Sequence, residues 1–128
     1  MQATKISRFF GFVLAGICLL GAASAQSQDI AVPELSPDAR QGGLLFMGKC
    51  ASCHGLYGRG SEKGPPLLHK FYHPGHHSDQ SFWLAIRAGT RQHHWPFGDM
   101  KPVEGIKDEQ VPLLIRYVRE LQKANGIF

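Results

Sequence analysis

The sequence has little excess charge of either sign. Its 128 residues include 14 Lys and Arg against 10 Asp and Glu, a formal net charge of +4. Two of the basic residues, Lys5 and Arg8, lie in an N-terminal segment that we expect to be removed, which leaves 12 basic and 10 acidic residues and a net charge of +2. So small an excess excludes a domain that binds nucleic acid by neutralising phosphates. The hydrophobic fraction of 43% excludes a disordered charged tail.

The sequence also lacks an apolar run of the about 20 residues that a membrane-spanning helix needs. The longest candidate, residues 9–20, follows Lys5 and Arg8 and precedes the small residues Ala23-Ser24-Ala25. A positive start, a short apolar run and small residues predict a signal peptide over residues 1–25, cleaved after Ala25. We therefore expect a periplasmic protein with no stable membrane anchor, an uncleaved N-terminal anchor being the alternative.

Cysteine is scarce. Of three cysteines, Cys18 lies in the apolar run, and the large Ile17 before it is unlike a lipoprotein attachment site. Cleavage would leave Cys50 and Cys53, and an even number of cysteines in an exported protein usually indicates a disulfide. The residue that follows them favours another interpretation.

Residues 50–54 read Cys-Ala-Ser-Cys-His, which is the C-x-x-C-H signature of c-type haem attachment. Two thiols three residues apart on a helical turn can each form a thioether with one of the two vinyl groups of a haem. The next residue, His54, then reaches the porphyrin face, where its imidazole can bind the iron. The motif predicts one covalent haem c attached at Cys50 and Cys53, with His54 as an iron ligand.

Two other uses of a C-x-x-C pair fit less well. A thioredoxin-like redox pair would follow a strand in a βαβ unit, whereas residues 38–49 have the pattern of a helix. A zinc site would need further ligands at suitable spacing, and no other cysteine remains after processing.

The rest of the chain predicts an all-α domain. Residues 26–37 are polar, contain two prolines and are expected to form a flexible tail. Ser36 or Asp38 can cap a first helix that runs to about Lys49. A second helix is expected from Ser78 or Asp79 to Ala88, and a third begins near residues 108–109. The third carries an apolar stripe with helical spacing. Its members are Val111, Leu114, Ile115, Val118 and Leu121.

The order of these features resembles class I cytochromes c, in the small bacterial exported branch, from about residue 38 to residue 121. The landmarks are Gly42 and Phe46, the Cys50/Cys53/His54 motif, the run Gly64-Pro65-Pro66-Leu67, Met100 near a proline, and Tyr117. The resemblance implies a cytochrome c fold over residues 38–128, with three to four helices around one covalently bound haem. It also implies that a glycine near Gly42 lets the first and last helices cross closely.

The resemblance further implies that Met100 is the second axial iron ligand. Met1 lies in the signal peptide, and Met47 lies too close to the attachment motif to reach the opposite face. The match departs from the family pattern at Lys101, which separates Met100 from the proline that directly follows the methionine in many relatives. His93 and His94 lie in the same loop and are the rival ligands; an open iron position is a further alternative.

The resemblance implies a supporting role for Pro65, and the negative charge of the haem propionates calls for a donor nearby. The carbonyl of Pro65 is expected to accept a hydrogen bond from the second imidazole nitrogen of His54, which orients the ring. Arg59, in the glycine-rich loop after the motif, is the first candidate to bind the haem propionates, with Arg91 and Trp95 as weaker candidates.

The functional expectation is electron transfer with His/Met coordination, between donor and acceptor redox proteins that the sequence does not identify. The alternatives are a haem-bearing subunit of a larger oxidoreductase and a ligand-binding or peroxidase-like haem protein. The histidines of the run His73-Pro74-Gly75-His76-His77 could bind a second metal, although loop histidines are more often solvated.

Overall fold

The computed structural model describes residues 29–128, so the predicted signal peptide, Cys18 and residues 26–28 of the predicted tail lie outside it. In this part of the chain there are four α-helices and no β-strand, which confirms the predicted all-α class. The helices are α1 (Pro37–Lys49), α2 (Ala51–His54), α3 (Asp79–Ala88) and α4 (Val111–Ala124). Three 3₁₀ turns lie at Leu56–Gly58, Lys70–Tyr72 and Asp108–Gln110. None of the helices described is long and apolar enough to cross a membrane.

The helices begin where polar caps allow them to begin. The Ser36 side chain accepts a hydrogen bond from the backbone N–H of Ala39 at 3.3 Å, and Ser78 accepts one from Ser81 at 3.3 Å. These caps satisfy N–H groups that have no partner within the helix. Helix α3 ends at Gly89, whose φ of 75° favours glycine.

The last helix begins slightly later than residues 108–109. Those residues form a 3₁₀ turn, and the α-helix starts at Val111 with Pro112 in its first turn. Pro112 has no backbone N–H to donate, so it fits only within the first turn of an α-helix.

Helices α1 and α4 cross at Gly42 and Gly43, where the family resemblance implies a close crossing. A Cβ atom on Gly42 would overlap the backbone carbonyl of Leu113, and one on Gly43 would lie 3.0 Å from the Tyr117 ring. Next to this crossing, the rings of Phe46 and Tyr117 pack with their centroids 5.2 Å apart. The crossing fixes the end of α1, and therefore the attachment motif that follows it, against α4.

Candidate haem site

A cavity of about 540 Å³ opens between the end of α1, helices α3 and α4, and the loops on either side of α3. Its volume lies in the range of small-molecule and cofactor sites, roughly 300–1,000 Å³. Much of the wall is apolar: it includes Phe46, Leu67, Phe82, Ile86, Leu114, Ile115 and Val118. Of the residues predicted to attach or ligate haem, Cys50, His54 and Met100 all line it.

His54 is oriented by the backbone of the loop that follows it. Its Nδ1 lies 2.9 Å from the carbonyl oxygen of Pro65. A carbonyl only accepts hydrogen bonds, so this contact places the proton on Nδ1 and leaves Nε2 with a lone pair for a metal. Burial lowers the pKa of His54, and the bond to Pro65 opposes that shift only in part. The ring is therefore held in the neutral form that ligates iron.

The two cysteines of the motif are unpaired and differ in exposure. Cys50 is half-buried on the cavity wall, whereas Cys53 is exposed. Burial, together with the neighbouring Cys53, raises the pKa of Cys50 to about 11. Cysteines that exchange disulfides have lowered pKa values, so a redox-active pair is disfavoured here.

Met100 reaches the cavity from a segment tied to the end of α3. Its backbone exchanges two hydrogen bonds of 2.9 Å with Thr90, and Val103 donates to the carbonyl of Ile86 at 2.8 Å. Gly89 allows the close approach, because a Cβ atom there would overlap the carbonyl oxygen of Met100. The backbone of Met100 is thus fixed on both sides.

Histidines also reach the same cavity. His76 and His77 line it from the loop before α3, and His93 and His94 line it from the loop after α3. Burial lowers the pKa of His77, and His76, His93 and Arg119 lower it further against a hydrogen bond to Phe71. The pKa of His94 is lowered by burial and by the neighbouring histidines His93, His77, His76 and His69. Because Met100, His93 and His94 all line the cavity, their position there does not by itself identify which of them is the distal iron ligand.

Of the candidate propionate partners, Arg91 and Trp95 line the cavity, whereas Arg59 is exposed and does not. Trp95 Nε1 is buried and meets no hydrogen-bond acceptor among the described residues. Tyr72 lies beside it: burial raises the Tyr72 pKa and Trp95 opposes the shift, but the two groups do not reach hydrogen-bond geometry. A buried indole N–H without an acceptor is costly, so Trp95 fits a site whose ligand brings an anionic oxygen.

Two residues of α4 that the sequence analysis missed hold the loop that lines the cavity. Gln122 is fully buried and donates to the carbonyls of Leu67 at 2.9 Å and Tyr72 at 3.0 Å. Arg119 donates to Gln122 at 2.6 Å, to the carbonyl of Tyr72 at 2.8 Å and to that of His77 at 2.5 Å. Gln122 lies four residues after Val118 and seven after Ile115, so helical spacing alone places it on the apolar stripe.

These observations agree with the chemistry that a covalent haem requires. The cavity wall supplies a free thiol, a neutral imidazole oriented by a carbonyl, a thioether and an unpartnered N–H donor for a carboxylate. Apolar and aromatic side chains surround them, as a largely apolar macrocycle needs.

A family model described as Cytochrome c matches residues 39–122, and among curated proteins no relative matches the chain. The match covers more than half of the chain, including the attachment motif, the cavity segments and most of α4. The chain therefore belongs to the cytochrome c family, whose domains hold covalently bound haem c with iron.

Proposed function

Because the chain belongs to the cytochrome c family, we propose that it carries single electrons between a donor and an acceptor redox protein, with His54 and Met100 as axial iron ligands. The observation that carries the proposal is the shared cavity, which both residues line: the His54 imidazole is hydrogen-bonded to the carbonyl of Pro65, and the backbone of Met100 is paired with Thr90. When bound, haem c supplies an iron that alternates between the ferrous and ferric states.

The residues around the cavity keep both ligands in place. Pro65 fixes the plane and tautomer of His54, and the Thr90 pairing fixes the backbone at Met100. Cys50 and Cys53 are the attachment points at the start of α2. A site whose ligands do not move changes little between oxidation states, which suits repeated one-electron exchange.

A thioether ligand also favours an electron carrier with a relatively high reduction potential. A His/Met pair raises the reduction potential relative to two histidines. We expect the protein to work outside the cytoplasm, in the periplasm, where c-type domains of this family typically function.

The alternative with most support is a haem-bearing subunit of a larger oxidoreductase. Large apolar side chains on the surface could serve a stable interface, among them Leu44, which is 78% exposed, and Leu56, which is 49% exposed. Purification of the exported protein from its native periplasm separates the two: a free carrier elutes alone, and a subunit elutes with a stoichiometric catalytic chain.

The test of electron carriage is a redox titration of the purified holoprotein, together with exposure of the reduced form to carbon monoxide at neutral pH. The proposal predicts a reversible one-electron transition and a reduced spectrum that carbon monoxide leaves unchanged, since both axial positions are occupied. Rapid carbon monoxide binding would contradict it and favour a ligand-binding or peroxidase-like haem protein.

A further inference from the structure

Four histidines from two separate loops meet at the cavity. His76 and His77 precede α3, and His93 and His94 follow it. We name them the four-histidine cluster. The Nε2 atoms of His76 and His94 are 3.2 Å apart, and so are those of His77 and His93. Ring nitrogens of His76, His77 and His94 all lie within 4.8 Å of one another.

The tautomers of two rings aim lone pairs at each other. His77 Nδ1 lies 2.6 Å from the Phe71 carbonyl oxygen, and His93 Nδ1 lies 2.7 Å from that of Arg91. Carbonyls accept hydrogen bonds, so both protons are assigned to Nδ1. With the protons on Nδ1, two unprotonated Nε2 atoms would face each other at 3.2 Å, a repulsive contact that a shared proton or a metal ion relieves.

The same arrangement is the one that metal-binding histidines show. Such a histidine donates its second ring N–H to a carbonyl or carboxylate, which fixes the ring and strengthens it as a ligand. The 3.2 Å spacing also agrees with coordination, because two ligands of a tetrahedral ion with bonds of about 2.0 Å lie about 3.3 Å apart.

The loop that carries His76 and His77 is fixed from the opposite side. Arg119 donates to the backbone carbonyl of His77 and pairs with Asp79 at 2.7 Å. The His94 ring stacks on Phe71 with centroids 4.5 Å apart. The cluster is therefore held by the fold, which lowers the entropic cost of bringing its members around an ion.

We propose that His76, His77 and His94 bind one borderline divalent transition-metal ion, of the Zn²⁺ or Cu²⁺ type, with His93 beside them as a fourth imidazole. Imidazole nitrogens suit these ions, whereas Mg²⁺ and Ca²⁺ prefer oxygen ligands. The site is distinct from the haem iron and adds a second metal centre at the edge of the same cavity.

The test is calorimetric titration of the haem-loaded protein, purified without a polyhistidine tag, with Zn²⁺. Wild type should bind one ion per chain. His94→Phe keeps the stacking on Phe71 and removes the ligand. Changes to residues that support metal ligands weaken metal binding about 10–100-fold, and loss of the ligand itself should weaken Zn²⁺ binding at least as much. His76→Phe should have a similar effect. Cu²⁺ bound to the wild type should show nitrogen couplings in its electron paramagnetic resonance spectrum.

The matched control is His73→Asn, because His73 lies in the same loop but outside the cluster. Its ring accepts a hydrogen bond from Gly75 N–H, which an asparagine oxygen can also accept. This variant should bind Zn²⁺ as the wild type does. The proposal is overturned if wild type binds no stoichiometric Zn²⁺, or if the control loses as much affinity as His94→Phe. It is also overturned if His94→Phe changes the haem spectrum in the absence of Zn²⁺, since the histidine would then serve the iron.

Discussion

At the residue scale, Gln122 and Arg119 attach the loop of the cavity to the last helix. Gln122 is fully buried, so its amide has no access to water and depends on the carbonyls of Leu67 and Tyr72 as hydrogen-bond acceptors. Arg119 links the same carbonyl of Tyr72 to Asp79 and stacks over the Phe82 ring at 4.7 Å. Polar contacts as well as apolar packing therefore hold the cavity wall in place.

Replacement of Gln122 by leucine should destabilise the holoprotein by about 1–3 kcal/mol. The change keeps the side-chain volume close to that of glutamine, but it leaves the buried carbonyl of Leu67 without a donor and removes one of the two donors to the carbonyl of Tyr72, which Arg119 also contacts. Urea unfolding followed by circular dichroism measures the effect. The control Lys123→Leu, at the next and exposed position of α4, should change stability by no more than about 0.5 kcal/mol. Equal effects of the two variants would contradict this account of Gln122.

Single residues also show where prediction from sequence ends. The C-x-x-C-H motif is local and has a covalent purpose, so Cys50, Cys53 and His54 could be predicted without a fold. The roles of Trp95 and the four-histidine cluster depend on loops that α3 separates in sequence. No spacing rule brings His76 next to His94, and only the fold places them 3.2 Å apart.

At the scale of elements, the end of α3 and the Met100 segment behave as one unit. Gly89 ends the helix with a positive φ and lies against the carbonyl of Met100, while Thr90 pairs with Met100 through two hydrogen bonds. The end of α3 therefore fixes the backbone from which the Met100 side chain reaches the cavity.

Replacement of Gly89 by alanine should displace this segment. A Cβ atom there meets both an unfavourable φ of 75°, which costs about 1–2 kcal/mol, and the carbonyl of Met100. We expect lower stability and a weakened or lost absorption band of the ferric iron–thioether bond. The control Gly126→Ala has the same φ of 75° but open space around its Cβ, and Gly126 lies outside the cavity wall. It should lose stability and keep the band, and loss of the band in both variants would show that backbone strain alone is responsible.

Element boundaries are predictable where the signals are local. Ser36, Ser78 and Gly89 mark helix ends through caps, and the apolar stripe of α4 marks its buried face. The sequence places the start of α4 too early because residues 108–110 have acceptable helix-start composition, whereas the constraint from Pro112 favours a 3₁₀ turn before the α-helix.

At the scale of the whole molecule, the crossing of α1 and α4 sets the shape of the domain. Gly42 lets the two backbones approach, and the approach brings the attachment motif beside the apolar stripe of α4. The resemblance of the sequence to its family predicts this contact; spacing within α1 alone would indicate only a helix weakened by two glycines.

Gly42→Ala and Gly48→Ala should therefore change the stability of the domain in opposite directions. Gly42→Ala overlaps the Leu113 backbone and should destabilise the domain by about 1–3 kcal/mol, because a crowded helix pair must move apart. Gly48 lies in the same helix, and a methyl group added to it would meet no neighbouring atom within 4 Å, so Gly48→Ala should stabilise by up to about 1 kcal/mol. Thermal unfolding of the two holoproteins decides the sign, and equal stabilisation by both would refute close crossing at Gly42.

The most direct test of the central claim is the absorption spectrum of the oxidised, exported holoprotein beside Met100→Ala and Met47→Ala. Ferric iron bonded to a thioether gives a weak long-wavelength band, and the account predicts that wild type has it. Met47 lies in α1 and is half exposed, so its variant should retain the band, whereas Met100→Ala should lose it. A wild-type spectrum without the band, unchanged in Met100→Ala, would contradict His54/Met100 coordination. It would favour His93 or His94 as the distal ligand, or an open iron position.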